Sequence, residues 1–187
     1  YGFETDFLYM PEQIDNLRVG VAASLNIARY KDFNDAAGTV EQQVDQAQDA
    51  MSPFPAAVYC GFYSCAQNLD GQVLDNAPEW DVSAFAAYER LLPGLAVFGF
   101  LRGDYSYTSS LYLAQDLDPF LFQPSYHVLN LRAGVRAEDE LWELTCCMTD
   151  VTNSEYLVIG FDVPIISGFA GVRGPPRQFG ATVRLLF

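Results

Sequence analysis

Apolar and polar residues alternate with a period of two over seven separate segments, at about 1–9, 16–30, 79–91, 95–109, 126–137, 140–150 and 177–187. The last ends on the final residue. There Phe179, Ala181, Val183, Leu185 and Phe187 share one strand face, while Gln178, Gly180, Thr182 and Arg184 share the other. The connections also alternate in character. Those at 10–15, 91–94 and 137–140 are short, whereas 31–78, 110–125 and 151–176 are long and rich in Gly, Pro, Asp and Asn. Short turns at one end and long loops at the other are the pattern of a membrane β-barrel, with the short turns periplasmic.

The charges show which face meets what. Glu4 and Asp6, then Arg18, then Asp81 and Glu89, then Arg102 and Asp104, then Arg132 and Arg136, then Glu143 each fall on the polar face of their segment. A charge facing mid-bilayer lipid costs about 2–4 kcal/mol, so this face is expected to line a lumen and the apolar one to meet lipid. Arg29 and Arg90 break the pattern near strand ends, where an arginine can snorkel. Arg132 and Glu143 are expected to pair across the hairpin between the fifth and sixth segments. On the apolar face, Tyr9, Tyr88, Trp142 and Phe187 gather at the short-turn end, and Trp80, Tyr105 and Tyr107 toward the long loops. Two aromatic belts are what the two membrane interfaces favour.

Composition agrees. Half the residues are apolar, yet the mean hydropathy is only +0.06, as strands that turn every second residue to the lumen require. The longest apolar stretch, Tyr156 to Val172, is broken by Asp162, Pro164 and glycines. It falls short of the ~20 residues of a spanning helix and reads as a loop. A β-sandwich also alternates, but its polar faces meet water and usually carry lysine, of which this chain has one. A net charge of −14 argues against nucleic acid. The acids Asp32, Asp35, Glu41, Asp45, Asp49, Asp70 and Asp75 form either a cation-attracting vestibule or a solvated loop.

Cys60 and Cys65 flank Gly-Phe-Tyr-Ser in a long connection, where a short disulfide fits an oxidising compartment. Cys146 and Cys147 are neighbours within a strand and point to opposite faces. Neither the cysteine spacing nor the lone His127 makes a zinc pattern, and no metal or cofactor is expected. His127 lies two residues from Ser125 on one strand, too far for direct proton transfer, so a hydrolase is disfavoured and no catalytic residue is assigned. Seven strands is an odd number. Bacterial single-chain barrels have even counts, and a last strand running down to the periplasm would put Tyr1 outside the cell, so residues 1–187 are expected to be the C-terminal part of a larger barrel.

Five motifs, taken in order, resemble those of TonB-dependent outer-membrane receptors. Asn68-Leu69-Asp70-Gly71-Gln72-Val73-Leu74-Asp75-Asn76-Ala77-Pro78-Glu79-Trp80 resembles the "DLxGxxLxNAPxW" entry to a late strand of that family. Arg102-Gly103-Asp104-Tyr105-Ser106-Tyr107 is similar to "RxDYSY", and Pro124 to Gly134 to "xSYxLLNxRxG". Asp150-Val151-Thr152-Asn153-Ser154-Glu155-Tyr156 resembles "NLTDxxY", with Asp150 and Asn153 standing where the family usually has Asn and Asp. Gly174 to Gly180 resembles "GxPRxxG" before the terminal aromatic. Cys60 and Cys65 match a loop cysteine pair of many such receptors in position.

The resemblance implies a barrel of about 22 strands, filled by an N-terminal plug that lies outside these residues. It implies coupling to the inner-membrane TonB complex and uptake of a scarce ligand such as a ferric siderophore. This segment alone would leave unpaired edges in lipid and transport nothing. Ligand would be caught by the long loops, where Tyr59, Phe62, Tyr63, Tyr112, Phe120 and Phe122 either face a planar ligand or pack the loops together. Arg173 and Arg177 either attract an anionic complex or, for Arg177, close a lumenal ion pair. Phe179, Val183, Leu185 and Phe187 resemble the signal read by the outer-membrane assembly machinery. A passive porin remains the alternative.

Overall fold

The computed structural model describes residues 1–39, 60–61, 64–163 and 168–187, with backbone alone at 60, 61, 64 and 65. Among the described residues every element is a strand except one 3-10 turn at Pro119–Leu121. The strands are β1 (Gly2–Tyr9), β2 (Leu17–Asn26), β3 (Ala36–Ala37), β4 (Cys60–Gly61), β5 (Ser64–Gln67), β6 (Trp80–Leu92) and β7 (Val97–Thr108). They continue as β8 (Leu111–Tyr112), β9 (Phe122–Gln123), β10 (Tyr126–Ala137), β11 (Trp142–Thr149), β12 (Leu157–Val163), β13 (Gly168–Arg173) and β14 (Gln178–Leu185).

Seven of these form one antiparallel sheet in the order β1-β2-β6-β7-β10-β11-β14. They are the seven segments marked by alternation, and each wall strand pairs with the wall strand before it in the chain. This follows from antiparallel pairing through hairpins, which needs no crossover. The short turns are built from residues that accept left-handed backbone. Gly94 has φ +79° behind Pro93, with Leu95 N–H donating to the Leu92 carbonyl at 3.2 Å, as a type II turn requires. Asn16 and Glu140 take left-handed positions in the other two turns, at φ +63° and +61°.

The sheet is not closed on itself: β1 and β14 are unpaired edges among the described residues. Its outline is a slanted parallelogram. Leu17, the first residue of β2, lies opposite Tyr88, four residues short of the end of β6 at Leu92. At the opposite corner β11 stops at Thr149, level with Asn130 and four residues short of Tyr126 at the start of β10. Between these corners β7 and β10 pair flush, Tyr126 opposite Thr108 and Ala137 opposite Val97, so the slant comes from the shorter outer strands, an outline that fits a tilted barrel wall.

No second layer covers either face of this sheet among the described residues, because strand contacts run between hydrogen-bonded neighbours. That overturns the sandwich alternative, whose two sheets must bury their inner faces on one another. Only Ala36, Leu69, Leu113, Leu121 and Ala137 are buried apolar residues among those described, against thirty exposed large hydrophobic ones. What close packing exists lies in the long connections. There the stretch read as one loop, 151–176, carries the hairpin β12–β13. Gly160 of β12 lets that hairpin sit down on Leu113 and Leu121, where a Cβ would come within 2.9 Å of the Leu121 side chain.

Candidate functional site

The register makes the two faces continuous over all seven strands. One row of the polar face runs Arg18–Ala87–Arg102–Arg132–Cys147–Gly180, each residue directly opposite the next. Two residues nearer the long connections, the row is Leu8–Gly20–Phe85–Asp104–Asn130. Nearer the short turns lie Phe100, Gly134, Thr145 and Thr182, and then Phe98, Arg136, Glu143 and Arg184. The apolar face carries Phe3, Phe7 and Tyr9, Val21, Trp80, Leu101 and Tyr105, Leu131, Leu144, and Phe179, Val183 and Leu185, all exposed. Arg90, opposite Gly99, is the one arginine of a wall strand on that side. Arg29 lies beyond β2 in a bridge to Val73, with its guanidinium donating to the Gly71 carbonyl at 3.0 Å.

The ion pairs correct the expected partnership. Arg132 faces Cys147, and Glu143 lies between Arg136 and Arg184. Arg136 reaches instead across β7 to Glu89 of β6 at 2.7 Å, passing over the Phe98 ring. Arg102 forks onto Asp104 of its own strand, with Nε at 3.0 and 2.9 Å from the two carboxylate oxygens, and its guanidinium lies 4.6 Å from the centre of the Phe85 ring. Phe85 covers Gly20 and Phe100 covers Gly134, each its direct partner; a Cβ on either glycine would meet the ring at 2.3 and 2.5 Å. Aromatic rings laid over cross-strand glycines fill the space that the missing side chains leave. Phe85, Phe98 and Phe100 share the polar side with the charges, as the parity of their strands requires, but no sequence signal gave them this covering role.

The residues expected to contact ligand separate. Tyr59, Phe62 and Tyr63 lie outside the described residues, as do the side chains of Cys60 and Cys65, whose backbones sit directly opposite one another in β4 and β5. Tyr112 and Phe122 are cross-strand partners with ring centres 5.1 Å apart, edge to face, and Phe120 stacks on Phe169 at 5.0 Å. Each ring thus has an aromatic neighbour within the loops, while Phe120 and Phe122 stay exposed. Arg173 lies exposed at the base of the β12–β13 hairpin opposite Leu157, and Arg177, also exposed, donates its backbone N–H to Asn153 Oδ1 at 3.3 Å. Phe179, Val183 and Leu185 lie exposed on the apolar face of β14, and Phe187 is exposed beyond it.

Of the acidic run, Asp70 accepts the Asp32 backbone N–H at 3.0 Å, and Asp75 accepts the Tyr30 hydroxyl. Burial and the Asp75 carboxylate push the Tyr30 phenol up to about 12. Glu41, Asp45 and Asp49 lie outside the described residues. A cluster that sequence reading missed joins Asp116, Asp118 and Asp162, whose carboxylate oxygens lie within 4.8 Å of one another. Asp116 and Asp118 are buried, and Asp118 caps the 3-10 turn by accepting the Phe120 N–H at 2.7 Å. Hard oxygen donors of this kind suit calcium or magnesium. No sequence spacing signals the third member, which arrives on β12 from another loop.

His127 stands on the apolar face, its ring 6.1 Å from that of Tyr105, while its carbonyl accepts from Ser154 and Thr152. No family model, no curated protein and no solved structure matches the chain.

Proposed function

We propose that this chain is part of the wall of a bacterial outer-membrane β-barrel, the C-terminal portion of a TonB-dependent receptor that takes up a scarce ligand. The observation that carries the reading is the single-layer sheet with one continuous apolar face and one continuous charged face. An apolar face of this extent is stable only against lipid or a second layer, and the slanted outline fits a tilted wall. The arginines of the other face then border an aqueous interior. The ordered motifs supply the finer part: a barrel of about 22 strands, a plug, energy from the TonB complex, and a ferric siderophore as ligand class. The outer-membrane assembly machinery is the partner that would read β14.

The test is the mass and location of the native polypeptide, followed with an antibody to this segment. A heat-modifiable band in outer membranes several times the 20.8 kDa of this chain supports the receptor. Iron-limited uptake that stops when the proton gradient is dissipated separates it from a passive porin. Recovery in the soluble fraction would refute the barrel.

A further inference from the structure

Within its strands the apolar face carries one arginine and no acid. That arginine, Arg90 of β6, is exposed and makes no side-chain hydrogen bond or ion pair with the described residues. Its direct partner on β7 is Gly99, which has no side chain to offer, and Leu92 leans over that glycine, 3.5 Å from where a Cβ would lie. On the other side β2 begins at Leu17, opposite Tyr88, so no wall strand flanks Arg90 there, and Asp15 of the adjoining turn makes no ion pair with it. Depth follows from the strand. Trp80 and Arg90 lie on one face of β6 with ten residue steps between them. At ~3.3 Å per residue that is about 33 Å, or about 25 Å along the barrel axis for a strand tilted by ~40°. The lipid-facing band of such a wall is about as tall, so with Trp80 at one interface Arg90 stands at the other. Its row, Arg90–Gly99–Val135–Leu144–Val183, accordingly falls between the aromatics Tyr88 and Trp142, each one row away.

Resting on the barrel reading above, we infer that Arg90 is a binding site for the phosphate of a phospholipid in the periplasmic leaflet, and that this contact holds the short-turn end of the wall at a fixed depth. A guanidinium among acyl chains is costly, but at the headgroup layer it meets an anion that no part of the sheet supplies, because every acid of the wall strands points to the opposite face. Its planar fork takes two phosphate oxygens at once, which the point charge of a lysine does not. The surroundings match the rest of the lipid. One row nearer the long connections, Tyr88 and Leu101 are direct partners on the same face, and Leu101 is exposed, so an apolar bed for an acyl chain begins where the cation ends. A free phosphate ion would have to leave water for that apolar face, whereas a lipid phosphate is already held at its margin.

The test compares urea-dependent folding of the complete protein into vesicles of phosphatidylcholine and into vesicles of digalactosyldiacylglycerol, a bilayer lipid without phosphate, with the folded fraction read by heat-modifiable gel mobility. In phosphatidylcholine R90L is expected to lower the folding equilibrium constant at least tenfold, and R90K to fall between R90L and the parent. In the galactolipid R90L is expected to change it less than twofold or to raise it. R18L, the same change on the polar face, is expected to act equally in both lipids. An R90L effect that is equal in the two lipids, or a gain of stability in phosphatidylcholine, overturns the phosphate site and leaves the barrel standing. R90K matching R90L in phosphatidylcholine also overturns it. Failure of the parent protein to fold into either kind of vesicle overturns the barrel reading and the inference with it.

Discussion

Leu131→Arg gives the sharpest test of which face meets lipid. Leu131 lies near the middle of the 12-residue strand β10, on the apolar face between Gly103 and Met148, and is 37% exposed. Its side chain leans over Gly103, where a Cβ would lie 3.3 Å from Leu131 Cδ2. An arginine facing hydrocarbon near mid-bilayer costs about 2–4 kcal/mol. At ~1.4 kcal/mol per tenfold, the folding equilibrium shifts by about 30-fold to about 700-fold. Ser106→Arg, at an exposed position of the polar face, is the control and is expected to cost under about 1 kcal/mol. The assay is urea-dependent folding of the complete protein into phosphatidylcholine vesicles, with the folded fraction read by heat-modifiable gel mobility. Were the apolar face solvated, a half-exposed leucine would accept arginine with a change of about 0.5 kcal/mol or less. A Leu131→Arg cost below about 1 kcal/mol, or an equal cost at Ser106, refutes the assignment of faces.

Phe187→Ala is expected to reduce outer-membrane insertion of the complete protein, since Phe187 is the exposed terminal aromatic of the β14 stripe; unchanged heat-modifiable yield counts against it. Gly134→Ala is expected to destabilise by about 1–3 kcal/mol, because the new Cβ would lie 2.3 Å from the Leu144 carbonyl oxygen, which is backbone and cannot swing aside. A urea midpoint equal to that of the parent protein contradicts it. Tyr30 titrates late, at about 12 against an ordinary 10.0. A raised folded pKa means that the Tyr30–Asp75 clasp contributes fully below pH ~10 and is lost as pH rises through about 12. Tyr30→Phe should therefore remove the highest-pH component of the tyrosinate absorbance at alkaline pH, and an unchanged titration curve argues against the clasp.

The strands of the wall, and the side to which each of their residues points, were legible in the chain alone. Alternation is a local property of extended backbone, so Arg132 and Leu131 are assigned to opposite faces without knowledge of any partner. The tight turns were legible for the same reason, Pro93-Gly94 most clearly. The hairpin β12–β13 was not, because Leu157-Val158-Ile159-Gly160-Phe161 shows no period of two: one face packs on Leu113 and Leu121 and the other is apolar as well. Partnership was settled only in three dimensions. Which residue faces Arg132 depends on how far each hairpin slips along the last, and a slip of four residues moves a partner by two rows on the same face without changing any local pattern. That is why Arg136 finds Glu89 across an intervening strand while Arg132 faces a cysteine. Long-range closure alone likewise gathers Asp116, Asp118 and Asp162 from two loops, since nothing local relates residues on separate connections until the wall strands fix where those connections begin and end.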